Sequence, residues 1–348
     1  MRLLLAVIVW AATFPISLYA NKLTLDSRFD NTTTDYNNEA RVSGSNNSAT
    51  FSGSRLPMLY TAQVVNKLGF KLRLNLLSAN DTPNSEAKFS KFVDYAFLTH
   101  QLSPSLYLSA GKVIALIGGR EAINNPGDYY FVSMAGSEIL ARPLTVLWPV
   151  GSVFGIVHND QKLELLAANT SHDDGAAQSR SMIGLSYLGS FLDKKILPIA
   201  SYHQDAENEN VEKRTYLSIG SKFIFDGWDL ELDYLNNAKS YQVWTTSSSK
   251  DTTSLVSSVR YKHSDLIHAI LKFDSSVDKV SSTAGANPSF SDTKYQQVGL
   301  GVEYYPIQGT RFRYHGAVVQ KTTIPESGAS LSETKFVLGV RLIHDFIK

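Results

Sequence analysis

The sequence predicts an all-β fold, a transmembrane antiparallel β-barrel of about 16 strands with a long third loop folded inward. Three observations predict it. The chain opens with a short apolar leader and has no later apolar run of helix length. Apolar and polar residues alternate with period two through most of residues 21–348. The connections between these alternating segments switch regularly between short and long.

The leader comes first. Arg2 is its only charge, Leu3 to Trp10 with Ala11 and Ala12 form the apolar run, and Leu18-Tyr19-Ala20 offers a small residue for cleavage. Thr13 and Pro15 break the run before it reaches the roughly 20 residues a membrane helix needs. Residues 1–20 therefore read as a signal peptide, with 21–348 as the exported barrel. Removing Arg2 leaves the mature chain formally neutral, since the whole sequence has 33 Lys plus Arg against 32 Asp plus Glu. Net charge accordingly predicts no nucleic-acid partner. With no cysteine, disulfides, thiolate metal sites and cysteine nucleophiles are excluded.

From Lys22 to Asp30, Leu23, Leu25, Ser27 and Phe29 share one face, and Lys22, Thr24, Asp26, Arg28 and Asp30 the other. The second and third strands are expected at 55–65 and 67–78; in the third, Leu68, Phe70, Leu72, Leu74 and Leu76 oppose Lys71, Arg73 and Asn75. Strands follow at 90–100 and 105–115. Segments 143–149 and 151–158 count as one strand with an extended approach around Pro149. The pattern continues at 162–169, 180–188, 195–204 and 214–225. At 228–236, Trp228, Leu230, Leu232 and Tyr234 interleave with Asp229, Glu231 and Asp233. After 252–262 and 265–274, Val298, Leu300, Val302 and Tyr304 alternate with Gln297, Gly299, Gly301 and Glu303 within 294–304. Segments 310–319 and 334–346 complete the set.

A soluble sandwich with one wet face would also alternate, so the connections decide between the two. Asn31–Ser54, Ala79–Phe89, Asn237–Asp251, Ser275–Thr293 and Lys321–Glu333 read as long polar loops. Asn66, Gln101–Pro104, Asp226-Gly227, His263-Ser264 and Pro306–Gly309 read as short turns. Long loops at one end and short turns at the other mark an outer-membrane barrel inserted from the periplasm. Phe225, Trp228, Tyr234, Phe273, Tyr304 and Phe346 suit aromatic girdles in outer-membrane lipid.

The inward face carries the candidate chemistry. Lys22, Arg28, Lys71, Arg73, Arg311, Arg313, Lys335 and Arg341 lie on the first, third, fifteenth and sixteenth strands, which become neighbours on closure. Asp229, Glu231 and Asp233 lie on the eleventh, roughly opposite, so a transverse field across the pore is expected. The connection from Leu116 to Arg142 holds Gly118-Gly119-Arg120-Glu121, Asn125-Pro126-Gly127-Asp128 and Tyr129-Tyr130-Phe131. Three consecutive aromatics facing water would be unfavourable, which predicts that this loop folds into the lumen. Arg120, Glu121 and Asp128 are then expected to act as a charge filter.

The mature chain resembles Gram-negative outer-membrane porins over nearly all of residues 21–348. The stretch from Gly111-Lys112 to Asn125-Pro126-Gly127-Asp128-Tyr129-Tyr130 resembles the constriction-loop region of the phosphate-selective type. The resemblance implies sixteen strands, an inward third loop and a homotrimer. Two features depart from it: the Pro-Glu-Phe-Gly-Gly signature of general porins is absent, and the terminal aromatic, Phe346, lies two residues before the end.

Passive diffusion of small hydrophilic solutes and inorganic anions is the function this pattern predicts, with phosphate as an extension of the resemblance. A barrel enzyme and a loop-mediated adhesin are the rival readings. The eight histidines are scattered, His172-Asp173-Asp174 is the one suggestive cluster, and no His-Glu-x-x-His, Gly-x-Ser-x-Gly or phosphate-loop motif occurs. No enzymatic activity, cofactor or metal is expected.

Overall fold

The computed structural model describes residues 19–37, 48–75, 93–124, 130–140, 149–171, 179–207, 212–243, 246–284 and 287–347. The leader expected over 1–20 lies outside the described residues except for Tyr19 and Ala20, which open the first strand.

Period-two patterning becomes a continuous wall. The strands are β1 (Tyr19–Tyr36), β2 in two pieces (Ser48–Arg55 and Pro57–Val65), β3 (Leu68–Asn75), β4 (Val93–Ser103) and β5 (Leu106–Lys112). Then come β6 (Val150–His158), β7 (Gln161–Ser171), β8 (Ser179–Leu188), β9 (Ile196–Glu207), β10 (Glu212–Phe225) and β11 (Trp228–Val243). The wall ends with β12 (Thr246–Lys262), β13 (Ile267–Ala284), β14 (Asn287–Tyr304), β15 (Arg311–Pro325) and β16 (Leu331–Ile347). β1 pairs with both pieces of β2, so the break at Leu56 interrupts a single strand, and the wall among the described residues has sixteen. Every neighbour is antiparallel, and β16 returns to β1 with Arg28 opposite Arg341. Closure leaves no sheet edge with unpaired N–H and C=O groups, which is the condition for a sheet to cross lipid.

Pleating sorts the side chains. Leu255, Leu300 and Leu338 point outward, 58 to 69% exposed, whereas Thr252, Ser254, Asp274 and Glu303 point inward and are fully covered. The turns use residues suited to them: Asn159 and Asp160 both take positive φ between β6 and β7, and Gly227 takes φ 73° between β10 and β11.

Wall height is where sequence and structure part. The segments read as long loops at 237–251, 275–293 and 321–333 are largely paired strand. Ser247, Ser248 and Ser249 of β12 sit opposite Thr283, Ser282 and Ser281 of β13. β1 likewise continues to Tyr36 and β2 begins at Ser48, shortening the expected first loop. A strand that has left the bilayer keeps its backbone ladder but no longer needs apolar side chains on its outer face, so the hydrophobic signal stops before the strand does. β13 and β14 have 18 residues each, about 60 Å of chain at 3.3 Å per residue. Even tilted, they outreach an apolar band about 25 Å tall. On the other side, β3 has 8 residues and β5 has 7. The described strands β12 to β16 are thus long, and the described strands β3 to β8 short. β6 starts at Val150, and 141–148, which include most of the expected extended approach, lie outside the described residues.

Candidate functional site

The connection from β5 to β6 enters the barrel. It has two short helices, α1 (Gly119–Ile123) and α2 (Met134–Leu140); α1 packs on β9, β10 and β11, and α2 on β11, β12 and β13. Its first stretch is extended, with Val113, Ala115 and Ile117 buried against Val153 of β6, Leu166 and Ala168 of β7, Met182 of β8 and Tyr216 of β10. Farther on, Tyr130 and Phe131 pack with Ile270, Ala317, Val319 and Val337 of β13, β15 and β16. Ala135 of α2 joins Leu235 of β11 and Val256 of β12. These wall residues all point inward, against the rule that a water-filled lumen is polar. They are the footprint of the loop, and each buried Val, Leu or Ile contributes about 1.5–3 kcal/mol to its docking.

Glycines in the wall make room for the rings. A Cβ on Gly299 would come within 2.6 Å of Phe131, and one on Gly301 would collide with Tyr130. The inward glycines of β14 are therefore seats for the aromatic run, which the sequence pattern displays without explaining.

Carboxylates of the wall hold the loop's helix ends. Gly118, the residue before α1, has φ 98° and no side chain to cap the helix. Asp233 of β11 supplies the cap from across the chain, accepting the amides of Arg120 at 2.9 Å and Glu121 at 3.1 Å. Unpaired amides and a positive dipole end make a carboxylate the favoured partner there. At α2, Asp274 of β13 accepts the amide of Met134 at 3.2 Å, and Ser254 accepts that of Ala135 at 3.0 Å.

The expected filter residues occupy this seam. Glu121 is buried, accepts the amide and hydroxyl of Ser133 at 2.9 and 2.5 Å, and is paired with Lys272 of β13. Arg120 is buried too, and its guanidinium donates to the carbonyl of Leu197 on β9. Both side chains thus face the barrel wall, not the bore. Asp128, the third expected filter residue, lies outside the described residues.

The basic and acidic stripes are present, but interleaved with opposite charge. Arg28 pairs with Asp30 at 2.7 Å, and Arg341 holds Asp26 through two bonds of 2.8 and 2.7 Å. Arg313 and Arg260 share Glu303 at 2.7 and 2.6 Å. Arg73 meets Asp94 at 3.1 Å, and Arg311 and Lys22 meet Asp345 at 2.9 and 3.3 Å. On β11, Asp229 and Glu231 both engage Lys222, and Glu231 also accepts Asn124 at 2.6 Å. Asp26, Asp30, Glu303 and Asp345 share the inward face with the arginines and compensate the basic wall in part, Glu303 and Asp345 each serving two bases. Lys71 on β3 stands apart, exposed and with no ion pair among the described residues; Lys335 of β16 also forms none there.

Among the described residues the loop follows the wall from β6 round to β16 and leaves much of the inner face of β2 to β5 uncovered, with only Phe97 and Tyr107 there packed against its first stretch. A cavity of about 330 Å³ lies there, between residues 113–116 of the loop and the wall of β2 to β7.

No protein-family model and no curated protein matches the chain. Solved structures do. The chain is similar to OmpT, an outer membrane protein of Vibrio cholerae, at 13% identity over 95% of this chain and 100% of that one, with a TM-score of 0.61. The outer membrane channel DcaP of Acinetobacter baumannii matches at 12% identity over 93% and 97%, with a TM-score of 0.62. An anion-selective porin from Comamonas acidovorans matches at 12% over 93% and 100%, with a TM-score of 0.58. At such identities the likeness carries the fold alone, and that fold is the sixteen-strand antiparallel transmembrane barrel of bacterial outer-membrane porins.

Proposed function

We propose that the chain is an outer-membrane porin, a water-filled channel for passive diffusion of small hydrophilic solutes and ions. The observation that carries this reading is a closed barrel with an apolar outside and a charged inside, whose third loop lines the wall and leaves an open polar face. A barrel of this strand number is wide enough for an aqueous channel. A loop held by helix caps, three apolar contacts and a buried ion pair is a fixed narrowing of the lumen, suited to exclusion by size.

Selectivity is proposed to favour anions mildly, with phosphate among them. Its support is Lys71 on the uncovered face, since each arginine of the wall named above is already engaged by a carboxylate. We also propose that the face of β3 to β8, where the described strands are the shortest of the wall, meets partner barrels in a homotrimer. A cleaved leader over 1–20 remains part of the proposal. Catalysis and adhesion have no comparable support among the described residues.

Purified protein in a planar lipid bilayer tests the channel. Stepwise conductance with a small chloride-favouring reversal potential in a KCl gradient is expected. A correctly folded barrel without conductance would overturn the reading.

A further inference from the structure

The open cavity has a chemistry of its own. Its floor on β3, β4, β5 and β7 carries Lys71, Lys162, Glu164 and the hydroxyls of Thr99 and Ser109, which are 2.8 Å apart. Lys162 is tied to Glu164 at 2.8 Å, and Tyr107 donates to the same carboxylate. Lys162 also lies over the Tyr107 ring, 5.9 Å from its centre. The charged groups acting on Lys71 are Lys162 and Glu164. Two ammonium groups against one carboxylate leave the pocket with one uncompensated positive charge.

The roof is different. Ile114 and Leu116 of the loop line the cavity together with Val113, while Ala115 and Ile117 are buried in the wall contact. Phe97 of β4, cross-strand from Gly111, adds an aromatic side to the cavity. A chloride or phosphate ion has no use for such a roof, and a neutral apolar solute none for Lys71.

We infer that this cavity is a binding subsite for small organic monoanions, compounds with one carboxylate or similar oxyanion head on an apolar body. The head lies at Lys71, within reach of the Thr99–Ser109 hydroxyl pair, and the body lies between Phe97, Ile114 and Leu116. A volume of about 330 Å³ is at the small end of ligand pockets and suits a single ring or a short branched chain. The inference rests on the channel reading, because the solute must reach the cavity through the lumen.

The test uses the full-length refolded barrel and benzoate as probe, with benzyl alcohol and benzylammonium as neutral and cationic matches. Equilibrium binding is measured on the detergent-solubilised protein by saturation-transfer NMR, and block of the KCl current is measured in bilayers. Benzoate is expected to bind and to block in a saturable way, and the two matches at least about tenfold more weakly, as expected for loss of one charge-assisted contact. Lys71→Gln, an exposed side chain outside any ion pair among the described residues, is expected to cost benzoate about the same factor. Leu116→Asn should weaken benzoate by putting a polar amide into the apolar roof. Equal binding of the three compounds, or benzoate binding unaffected by both variants, overturns the subsite. Conductance without block or binding overturns it and leaves the channel standing. Binding that depends on Lys71 in a barrel without conductance supports the site and removes the channel reading.

Discussion

Asp233→Ala is the most direct way to ask what holds the third loop. The carboxylate accepts two amides, at 2.9 and 3.1 Å, from the first turn of a helix whose own cap residue, Gly118, has no side chain. Each buried donor left without its acceptor costs about 1–3 kcal/mol. The two share one acceptor and are not independent, so about 3 kcal/mol is a reasonable loss for the pair, and the amides are left buried and unsatisfied. That corresponds to exchange of the Arg120 and Glu121 amides roughly a hundredfold faster when the loop opens locally. Hydrogen exchange of the refolded barrel, read by mass spectrometry on peptides covering 119–124 and on strand peptides as controls, measures it. The barrel should remain heat-modifiable on gels, while single channels become noisier as the loop moves. Exchange in the loop that stays within about threefold of the parent protein would refute the capping argument and leave the apolar footprint as the main anchor.

Other outcomes rest on the same geometry. Gly301→Ala places a methyl inside the space of the Tyr130 ring and should unseat the aromatic run; cleavage by trypsin within the loop should then accelerate at least about tenfold if docking loses about 1.4 kcal/mol. Arg120→Gln should leave the reversal potential within a few millivolts, by roughly the measure of a charge already turned to the wall, because its guanidinium is bonded to the Leu197 carbonyl; a large loss of chloride preference would restore it as a filter. Arg341→Met removes the bidentate partner of Asp26 and should lower barrel stability by about 3 kcal/mol in urea, with Arg341→Met/Asp26→Leu recovering most of it. Failure of the double variant to recover would place the cost in packing.

Fold class, the position of every strand and the division into lipid-facing and lumen-facing residues were legible from the sequence, because a strand in a bilayer must alternate. Leu300 and Val302 against Gly299 and Gly301 is such a pattern, and one face can be assigned to lipid without knowing any neighbour. Where strands end was not legible above the membrane: in β12, Ser247 to Ser249 need only backbone partners, and those lie in β13.

The charged site shows the same division more sharply. That Arg28, Arg313, Arg341, Asp229 and Asp233 point inward is a matter of parity along single strands. Whether they face the bore depends on what lies across from them. Asp233 is a helix cap, Glu121 the partner of Lys272, and Arg341 the partner of Asp26 over a sequence separation of 315 residues. The sequence does carry one sign of this: Val153, Leu166, Met182, Leu235, Val256, Ile270, Val319 and Val337 are apolar at inward positions, which marks a surface that is covered. By itself, the sequence determined which residues enter the barrel, since the pleat of a strand is a local property. Only the tertiary structure decided which charges are matched and which face, that of β2 to β5 with Lys71, stays open, since pairing in a closed sheet joins residues from opposite ends of the chain.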